Sequence, residues 1–189
     1  MNFDRVARHY WWMERLVFGR ALENCRFAFL PALADCRRVL CVGEGDGRFS
    51  AELLRRYPDV MVDAIEPSGK MRELAPKRVR FVDRPGTDYD MIVAHFVFDT
   101  LTPEEAAALI NEIQRTSPKA RWIISEFHPR GHATALLTQI MYAFFCWTAG
   151  LQVRQIPPYE DELRRAEYAL SHQWSAWNGY IMSQLWEHA

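Results

Sequence analysis

The chain combines two kinds of hydrophobic pattern. Short apolar runs rich in valine and isoleucine end on glycine, proline or acidic residues, which is typical of strands buried in a parallel sheet. Between these runs, apolar residues recur at helical spacing, as on the buried face of an amphipathic helix. Strands are predicted at residues 38–42, 60–65, 79–82, 91–96 and 122–125.

Helical segments lie between and after the strands. Thr102-Pro103-Glu104-Glu105 marks one helix start, because threonine can cap, proline suits the first turn and Glu105 can complete a capping box. Pro58 ends an earlier helix, since the residue before a proline is biased away from helical backbone angles. Helices are predicted at residues 3–33, 48–57, 69–75, from 103 onwards, at 133–152 and at 159–170.

The end of the chain has a different pattern. Asn178-Gly179 separates two aromatic-rich runs, and this dipeptide is the strongest short-range signal for a β-hairpin. The alternating strands and helices before it predict a parallel sheet covered by helices. The sequence therefore predicts an α/β fold, in which parallel strands and a C-terminal antiparallel hairpin form one mixed seven-stranded sheet.

Composition and charge narrow the class of protein. The 189 residues are enough for one domain with a filled core, and 49% apolar and 25% charged residues are ordinary globular values. The formal net charge of −1 gives no long-range positive field toward nucleic acid or anionic lipid. A nucleic-acid partner is therefore not predicted.

Two further features bear on where the protein works. The charged start, residues 1–5, lacks the apolar run of a secretory signal, and none of the four cysteines forms a Cys-x-x-Cys pair. Free thiols in a reducing cytoplasm are therefore predicted.

Residues 133–152 carry no charge and approach the roughly 20-residue length of a transmembrane helix. Thr134, Thr138 and Gln139 dilute this segment, which favours a buried or pocket-lining helix over a membrane span.

A glycine-rich loop, Gly43-Glu44-Gly45-Asp46-Gly47, follows the first strand and precedes a helix. Glycines let the backbone approach a ligand closely, and the helix N-terminus adds unpaired N–H groups. A dinucleotide fingerprint needs a small residue where Arg48 stands, and a phosphate loop ends in Gly-Lys-Ser/Thr, unlike Gly47-Arg48-Phe49. The loop has the tighter Gly-x-Gly-x-Gly spacing, so a nicotinamide dehydrogenase is the weaker alternative.

Residues 39–47, Val-Leu-Cys-Val-Gly-Glu-Gly-Asp-Gly, resemble motif I of the class I S-adenosylmethionine-dependent methyltransferases. Residues 63–71 resemble the second motif of that family, in which an acid at the end of the second strand holds the ribose hydroxyls. Residues 89–96 resemble its fourth strand, and residues 3–10 resemble the opening of its quinone-methylating branch. The resemblance implies a three-layer αβα, Rossmann-like sandwich that binds S-adenosylmethionine.

The same resemblance implies roles for individual residues. Glu66 is expected to hold the ribose, Met71 to lie near the adenine and Tyr10 to cover the cofactor. The family often has an acid where this chain has Cys41, and Asp83 is a substitute for an adenine-contacting acid. The predicted cofactor-binding residues are Tyr10, Gly43, Glu44, Gly45, Gly47, Glu66, Pro67, Met71, Asp83 and His95.

Several polar residues have two interpretations. His95, on the fourth strand, is either a catalytic general base and acceptor-orienting group or a core histidine. Asp99 is either a cap for the following loop or a site residue. His128 and His132 have a spacing seen in metal sites, but no third ligand is evident, so no metal is predicted.

The predicted function is S-adenosylmethionine-dependent methyl transfer to a small, apolar or aromatic acceptor. Within a single domain, residues 1–33 are expected to form a helical cover and 38–128 the cofactor-binding core. Residues 129–171 are expected to supply helices on the substrate side, and 172–186 the terminal hairpin. The alternative is a catalytically weak or inert S-adenosylmethionine-binding module that acts through a partner protein.

Overall fold

A seven-stranded sheet runs through the computed structural model, which describes residues 15–149, 153 and 155–189. The strands are β1 Arg38–Val42, β2 Met61–Ile65, β3 Arg80–Phe81, β4 Met91–His95, β5 Arg121–Phe127, β6 Tyr168–Ala176 and β7 Ile181–His188. In space they follow the order β3-β2-β1-β4-β5-β7-β6. Strands β1 to β5 are parallel, and β7 is antiparallel to both β5 and β6. The predicted mixed α/β sheet with its terminal hairpin is confirmed.

Helices cover the sheet on both sides. They are α1 Ala21–Phe27, α2 Arg48–Arg56, α3 Gly69–Arg72, α4 Pro103–Thr116, α5 His132–Ala149 and α6 Tyr159–Arg165, with 3-10 turns at Leu30–Leu33 and Phe98–Thr100. The predicted capping box of α4 is confirmed: the Glu105 N–H donates to Oγ1 of Thr102 at 3.2 Å, and the Thr102 N–H donates to Oε2 of Glu105 at 2.8 Å. Across the described residues, no helix combines the length and apolar character that a membrane crossing requires.

The alternation of side chains along each strand divides the core into two layers. Leu40 and Ile92 face the side covered by α4 and α6, where they pack in one cluster with Ile110. Cys41 and Val93, one position along each strand, face the opposite side and pack with the residues of α2. The sheet is therefore buried on both faces, as the continuous apolar runs of β1 and β4 predict.

One helix boundary differs from the prediction. The helix predicted over 159–170 ends at Arg165, and Tyr168 already begins β6. Glu167 has a φ of 65°, a left-handed conformation that cannot continue a helix. The aromatic ring of Tyr168 then packs edge-on against Trp122, with centroids 6.4 Å apart. Tertiary packing of this ring favours the strand over the local helical pattern, so the hairpin begins at Tyr168 and not at residue 172.

The hairpin turn and the N-terminal segment also differ in detail. The turn is a four-residue loop, 177–180, in which Trp177, Asn178 and Gly179 all have positive φ angles of 52°, 53° and 83°. At the other end of the chain, the predicted helix 3–33 is divided within the described residues into a helical stretch at 15–18, α1 and a 3-10 turn that contains Pro31. Tyr10 lies outside the described residues.

The connections around β1 create a crevice at one edge of the sheet. At that edge Val42 pairs with Ile65 of β2 on one side and with Ala94 of β4 on the other. The chain leaves β1 toward β2, whereas β4 lies on the opposite side, so the strand order reverses between β1 and β4. In parallel α/β sheets, ligands bind in the crevice outside the carboxyl ends of the strands at such a reversal.

Candidate functional site

A cavity of about 450 Å³ lies at this reversal and is called the first cavity below. Its walls come from the loop after β1, the end of β2, the segment after β3 and the end of β4. The structure therefore brings together predicted site residues that are up to 52 positions apart in sequence, from Gly43 to His95. The predicted site residues that line it are Gly43, Glu44, Gly45, Glu66, Pro67, Met71, Asp83 and His95.

The glycines of the loop have different surroundings. Gly45 has a φ of 66°, and no atom lies within 4 Å of the position that a Cβ would take, so a ligand can approach its backbone. Gly47 also has a positive φ, but a Cβ there would lie 2.4 Å from the Cα of Ala75. Gly47 was predicted to bind cofactor; the structure places it in the packing between α2 and residue 75, behind the cavity wall.

Glu66 connects the end of β2 to the glycine loop. Its Oε2 accepts a hydrogen bond of 2.9 Å from the N–H of Gly45, and its Oε1 accepts one of 2.8 Å from the N–H of Ser68. The side chain is buried but faces the first cavity. A carboxylate at this place offers the kind of acceptor that vicinal ribose hydroxyls require.

Glu44 is beside Cys41, which stands where the methyltransferase family often has an acid. Its Oε1 accepts a hydrogen bond of 3.0 Å from the N–H of Ser50 in α2. Burial raises the pKa of Glu44, and hydrogen bonds from Ser50 and from the thiol of Cys41 oppose that rise. Burial also raises the pKa of Cys41 well above its usual range, with the charge of Glu44 as the next cause. A carboxylate therefore stands beside the position where the family often has an acid.

His95 presents one unpaired ring nitrogen at the end of β4. Its Nδ1 is 2.8 Å from Oγ of Ser125, and Ser125 itself donates to Ser183 at 3.0 Å. In the tautomer that donates from Nδ1 to Ser125, the lone pair is on the buried Nε2, which has no hydrogen-bond partner among the described residues. Burial, followed by the charge of Arg26, lowers the pKa of His95 well below its usual range, so the imidazole is neutral.

Two features of the site could not be predicted from a motif. Arg26 of α1 lines the first cavity, and its guanidinium lies 5.1 Å from the ring centroid of Phe96. Phe96 directly follows β4 and has a φ of 56°, which is strained for a residue with a side chain. Arg26 lies in an ordinary amphipathic helix, so only the tertiary fold shows that its side chain reaches the site.

The predicted adenine-side residues lie at different depths. Met71 is buried and lines the first cavity, and its N–H is capped by the side chain of Ser68 at 3.3 Å. Asp83 also lines the cavity, but its side chain is 96% exposed and lies 3.8 Å from the guanidinium of Arg72. Asp83 therefore stands at the mouth of the cavity.

His128 and His132, whose spacing in the sequence is seen in metal sites, have different surroundings in the structure. Nε2 of His128 is 3.1 Å from the hydroxyl of Tyr159, and burial lowers the pKa of His128. His132 begins α5 and is exposed. Within the described parts of the chain, no group of three or more His, Cys, Asp or Glu side chains has the arrangement of a metal site.

Comparisons with known proteins place the fold. No protein-family model matches the sequence. No curated protein matches it either. The mitomycin 7-O-methyltransferase superposes with a TM-score of 0.67 at 13% identity, covering 100% of this chain and 61% of that one. The magnesium protoporphyrin IX methyltransferase of Synechocystis PCC 6803, solved with bound S-adenosylhomocysteine, gives 0.61 at 19% identity, covering 86% and 79%.

Comparison with a human enzyme also shows a similar backbone fold at low sequence identity. N-acetylserotonin methyltransferase in complex with S-adenosylmethionine superposes with a TM-score of 0.62 at 14% identity, covering 87% of this chain and 51% of that one. The chain thus spans 61% of the mitomycin enzyme and 51% of the human enzyme. At such identities the likeness concerns the backbone architecture. The chain has the fold of the class I S-adenosylmethionine-dependent methyltransferases.

Proposed function

We propose that the chain binds S-adenosylmethionine in the first cavity and transfers its methyl group to a small, apolar or aromatic acceptor. The observation that carries this proposal is the 2.9 Å hydrogen bond between Gly45 and Glu66. It joins the glycine loop of the first motif to the acid that the resemblance assigns to the ribose of the cofactor. Both residues line one cavity at the carboxyl ends of β1 and β2.

The residues around the first cavity have the chemistry that this ligand requires. Glu66 is a carboxylate acceptor for ribose hydroxyls, and Met71 and Pro67 offer an apolar surface for the adenine. Glu44 and Arg26 supply one negative and one positive group for the cofactor's amino and carboxylate groups. The open space over Gly45 admits a ligand against the backbone. The donor set therefore fits S-adenosylmethionine.

The protein's part in the transfer is alignment and exclusion of water. Bound S-adenosylmethionine supplies an activated methyl group on a sulfonium. His95 lies at the end of β4 with a neutral ring, and its unpaired Nε2 can accept a hydrogen bond from an acceptor hydroxyl or from the cofactor. Because its pKa is lowered, His95 is suited to orienting a ligand and poorly suited to taking a proton at neutral pH.

The finer part of the proposal is that the methyl acceptor is apolar, such as a quinone-like ring. It is supported by α5, whose sequence contains no Asp, Glu, Lys or Arg, and by the resemblance of residues 3–10 to the quinone-methylating branch. Tyr142 of α5 is buried and lines a second cavity. Tyr10, predicted to cover the cofactor, lies outside the described residues and remains a prediction.

Titration calorimetry with S-adenosylmethionine and S-adenosylhomocysteine tests the proposal. Binding of both, abolished by Glu66→Ala, is the expected result, and lack of binding by either contradicts the proposal. Turnover is then measured as S-adenosylhomocysteine formation over quinols, phenols, thiols and amines. Cofactor binding without turnover of any acceptor supports the alternative, an inert S-adenosylmethionine-binding module, which the Cys41 departure from the family pattern motivates.

A further inference from the structure

The second cavity, of about 590 Å³, is lined by the end of β5, by one side of α5 and by the start of α6. Its aromatic walls include Phe127, Tyr142 and Tyr159, which are all buried. Small-molecule sites typically have volumes of about 300–1,000 Å³ and mostly apolar walls, with a few polar groups that orient the ligand. His128 and Glu160 are among the polar residues that line this cavity. Their hydrogen bonds decide which ligand fits.

Gln184 of β7 has a fixed orientation behind this wall. Its Nε2 donates a hydrogen bond of 2.9 Å to Oε1 of Glu160, and its Oε1 accepts one of 3.2 Å from the indole N–H of Trp186. Because a carboxylate only accepts and an indole only donates, these two partners assign the nitrogen and the oxygen of the amide. The oxygen lies 3.1 Å from the hydroxyl oxygen of Tyr159, and the proton between them comes from that hydroxyl.

The tautomer of His128 follows from this arrangement. The hydroxyl of Tyr159 has one proton, which it donates to Gln184. Nε2 of His128 lies 3.1 Å from the same hydroxyl oxygen, so Nε2 is the donor and the neutral ring carries its lone pair on Nδ1. Burial lowers the pKa of His128, which keeps the ring neutral at neutral pH. Nδ1 is therefore a hydrogen-bond acceptor.

Two acceptors are thus close together at the wall of the cavity. Nδ1 of His128 is 4.0 Å from Oε1 of Glu160, which is too far for a hydrogen bond. Both residues line the second cavity, and their side chains are 19% and 29% exposed. One ligand atom can lie within about 3 Å of both acceptors. Such an atom must carry two hydrogens to satisfy both, as an amino group does and a hydroxyl does not.

We infer that the second cavity binds an aromatic molecule with an uncharged amino group, which donates one hydrogen bond to Nδ1 of His128 and one to Oε1 of Glu160. The aromatic part of the ligand packs against Phe127 and Tyr159. An aromatic amine is uncharged at neutral pH, so it enters without the cost of dehydrating an ammonium group. Occupancy of this site requires neither the methyl donor nor methyl transfer.

Three naphthalenes test the site. 1-Naphthylamine, 1-naphthol and 1-methylnaphthalene share one ring system, and their substituents offer two, one and no polar hydrogens. Fluorescence titration is expected to show that 1-naphthylamine binds at least roughly tenfold more tightly than 1-methylnaphthalene, with 1-naphthol between them. His128→Phe keeps an aromatic wall and removes Nδ1. It is expected to weaken 1-naphthylamine binding by roughly tenfold and to leave 1-methylnaphthalene binding unchanged.

Nitrogen NMR of the histidine rings shows where the amine binds. In the ligand-free protein, Nε2 of His128 is expected to be protonated and Nδ1 unprotonated, with the resonances assigned by their loss in His128→Phe. Addition of 1-naphthylamine should shift the Nδ1 resonance toward that of a hydrogen-bonded nitrogen, and 1-methylnaphthalene should not. Glu160→Gln is the second variant where His128→Phe fails to fold. Glu162→Gln, on the same helix, changes a carboxylate that pairs with Arg165 and is the matched control.

Each remaining outcome overturns the site. Equal affinities for the three naphthalenes, or no binding of any, contradict recognition of an amino group. Binding of 1-naphthol as tight as that of 1-naphthylamine contradicts the two-donor bridge. A protonated Nδ1 in ligand-free His128, or an equal loss for all three compounds in His128→Phe, contradicts the role of this ring. Binding of S-adenosylhomocysteine by the wild-type protein is measured separately, so the proposed function and this site can fail independently.

Discussion

The backbone N–H of Gly45 donates a hydrogen bond of 2.9 Å to Oε2 of Glu66. The other oxygen of Glu66 accepts a bond of 2.8 Å from the N–H of Ser68. One carboxylate therefore ties the loop after β1 to the segment after β2. Because the Glu66 side chain is buried, this arrangement depends on an acceptor at the end of β2.

Glu66→Ala is expected to impair both stability and cofactor binding. It removes the acceptor for two N–H groups, and each orphaned buried donor costs roughly 1–3 kcal/mol of unfolding free energy. Glu66→Gln keeps one acceptor oxygen, so its stability loss should be smaller while the affinity for S-adenosylhomocysteine falls by roughly tenfold. Urea unfolding and titration calorimetry measure the two effects, with the exposed Glu73→Gln as control. Unchanged affinity in Glu66→Ala would exclude Glu66 from the cofactor site.

Glu44 and Cys41 should be energetically coupled, because the Glu44 carboxylate accepts a hydrogen bond from the Cys41 thiol. If Glu44 supplies the negative charge that the family often has at position 41, Glu44→Gln will weaken S-adenosylhomocysteine binding. Adding Cys41→Asp should then restore part of the affinity, since the charge returns to the same region. Calorimetry on the two single variants and the double variant gives the coupling. Additive losses in the double variant would contradict a shared role.

Gly45 and Gly47 should respond differently to the same substitution. Both have positive φ, so Gly→Ala costs about 1–2 kcal/mol of backbone strain at either position. At Gly47 the new Cβ also meets the backbone of Ala75 at 2.4 Å, whereas at Gly45 it enters open space in the first cavity. We expect Gly47→Ala to reduce the free energy of unfolding more, and Gly45→Ala to reduce cofactor affinity more. Urea unfolding and calorimetry on both variants test this; equal stability losses would contradict the assignment.

Much of the fold could be predicted because local signals and tertiary packing agree. The apolar run of β1 stops where Gly43 takes a positive φ, so the predicted strand 38–42 matches the observed bounds. The capping box fixed the start of α4 in the same way. At Tyr168 the local sequence pattern and the tertiary packing disagree. The helical pattern continues through this residue, whereas its aromatic ring packs against Trp122 in the sheet. Packing determines that Tyr168 belongs to a strand, and the periodicity of the sequence alone could not predict this.

The candidate site could be predicted only where its residues lie close to a motif. Gly45 and Glu66 follow from the spacing of a loop and an acid, and the structure joins them directly. Arg26 reaches the first cavity from α1 through a long-range contact with Phe96, for which the sequence has no local signal. Glu126 has a signal in the sequence, because a buried acid in a mostly apolar strand is unusual unless it is paired or functional.

The stability of the protein should fall as pH rises from about 4 to about 7. Burial raises the pKa of Asp99 from 3.8 to about 7 in the folded protein, so across this interval the folded state binds more protons than the unfolded state. Each pH unit then lowers the free energy of unfolding by up to about 1.4 kcal/mol per proton, and above about pH 7 the part of the loss that is due to Asp99 is complete. Urea unfolding over this range should give a flatter profile for Asp99→Asn than for wild type, with Asp59→Asn as control. An unchanged slope in Asp99→Asn would show that Asp99 ionises normally in the folded protein.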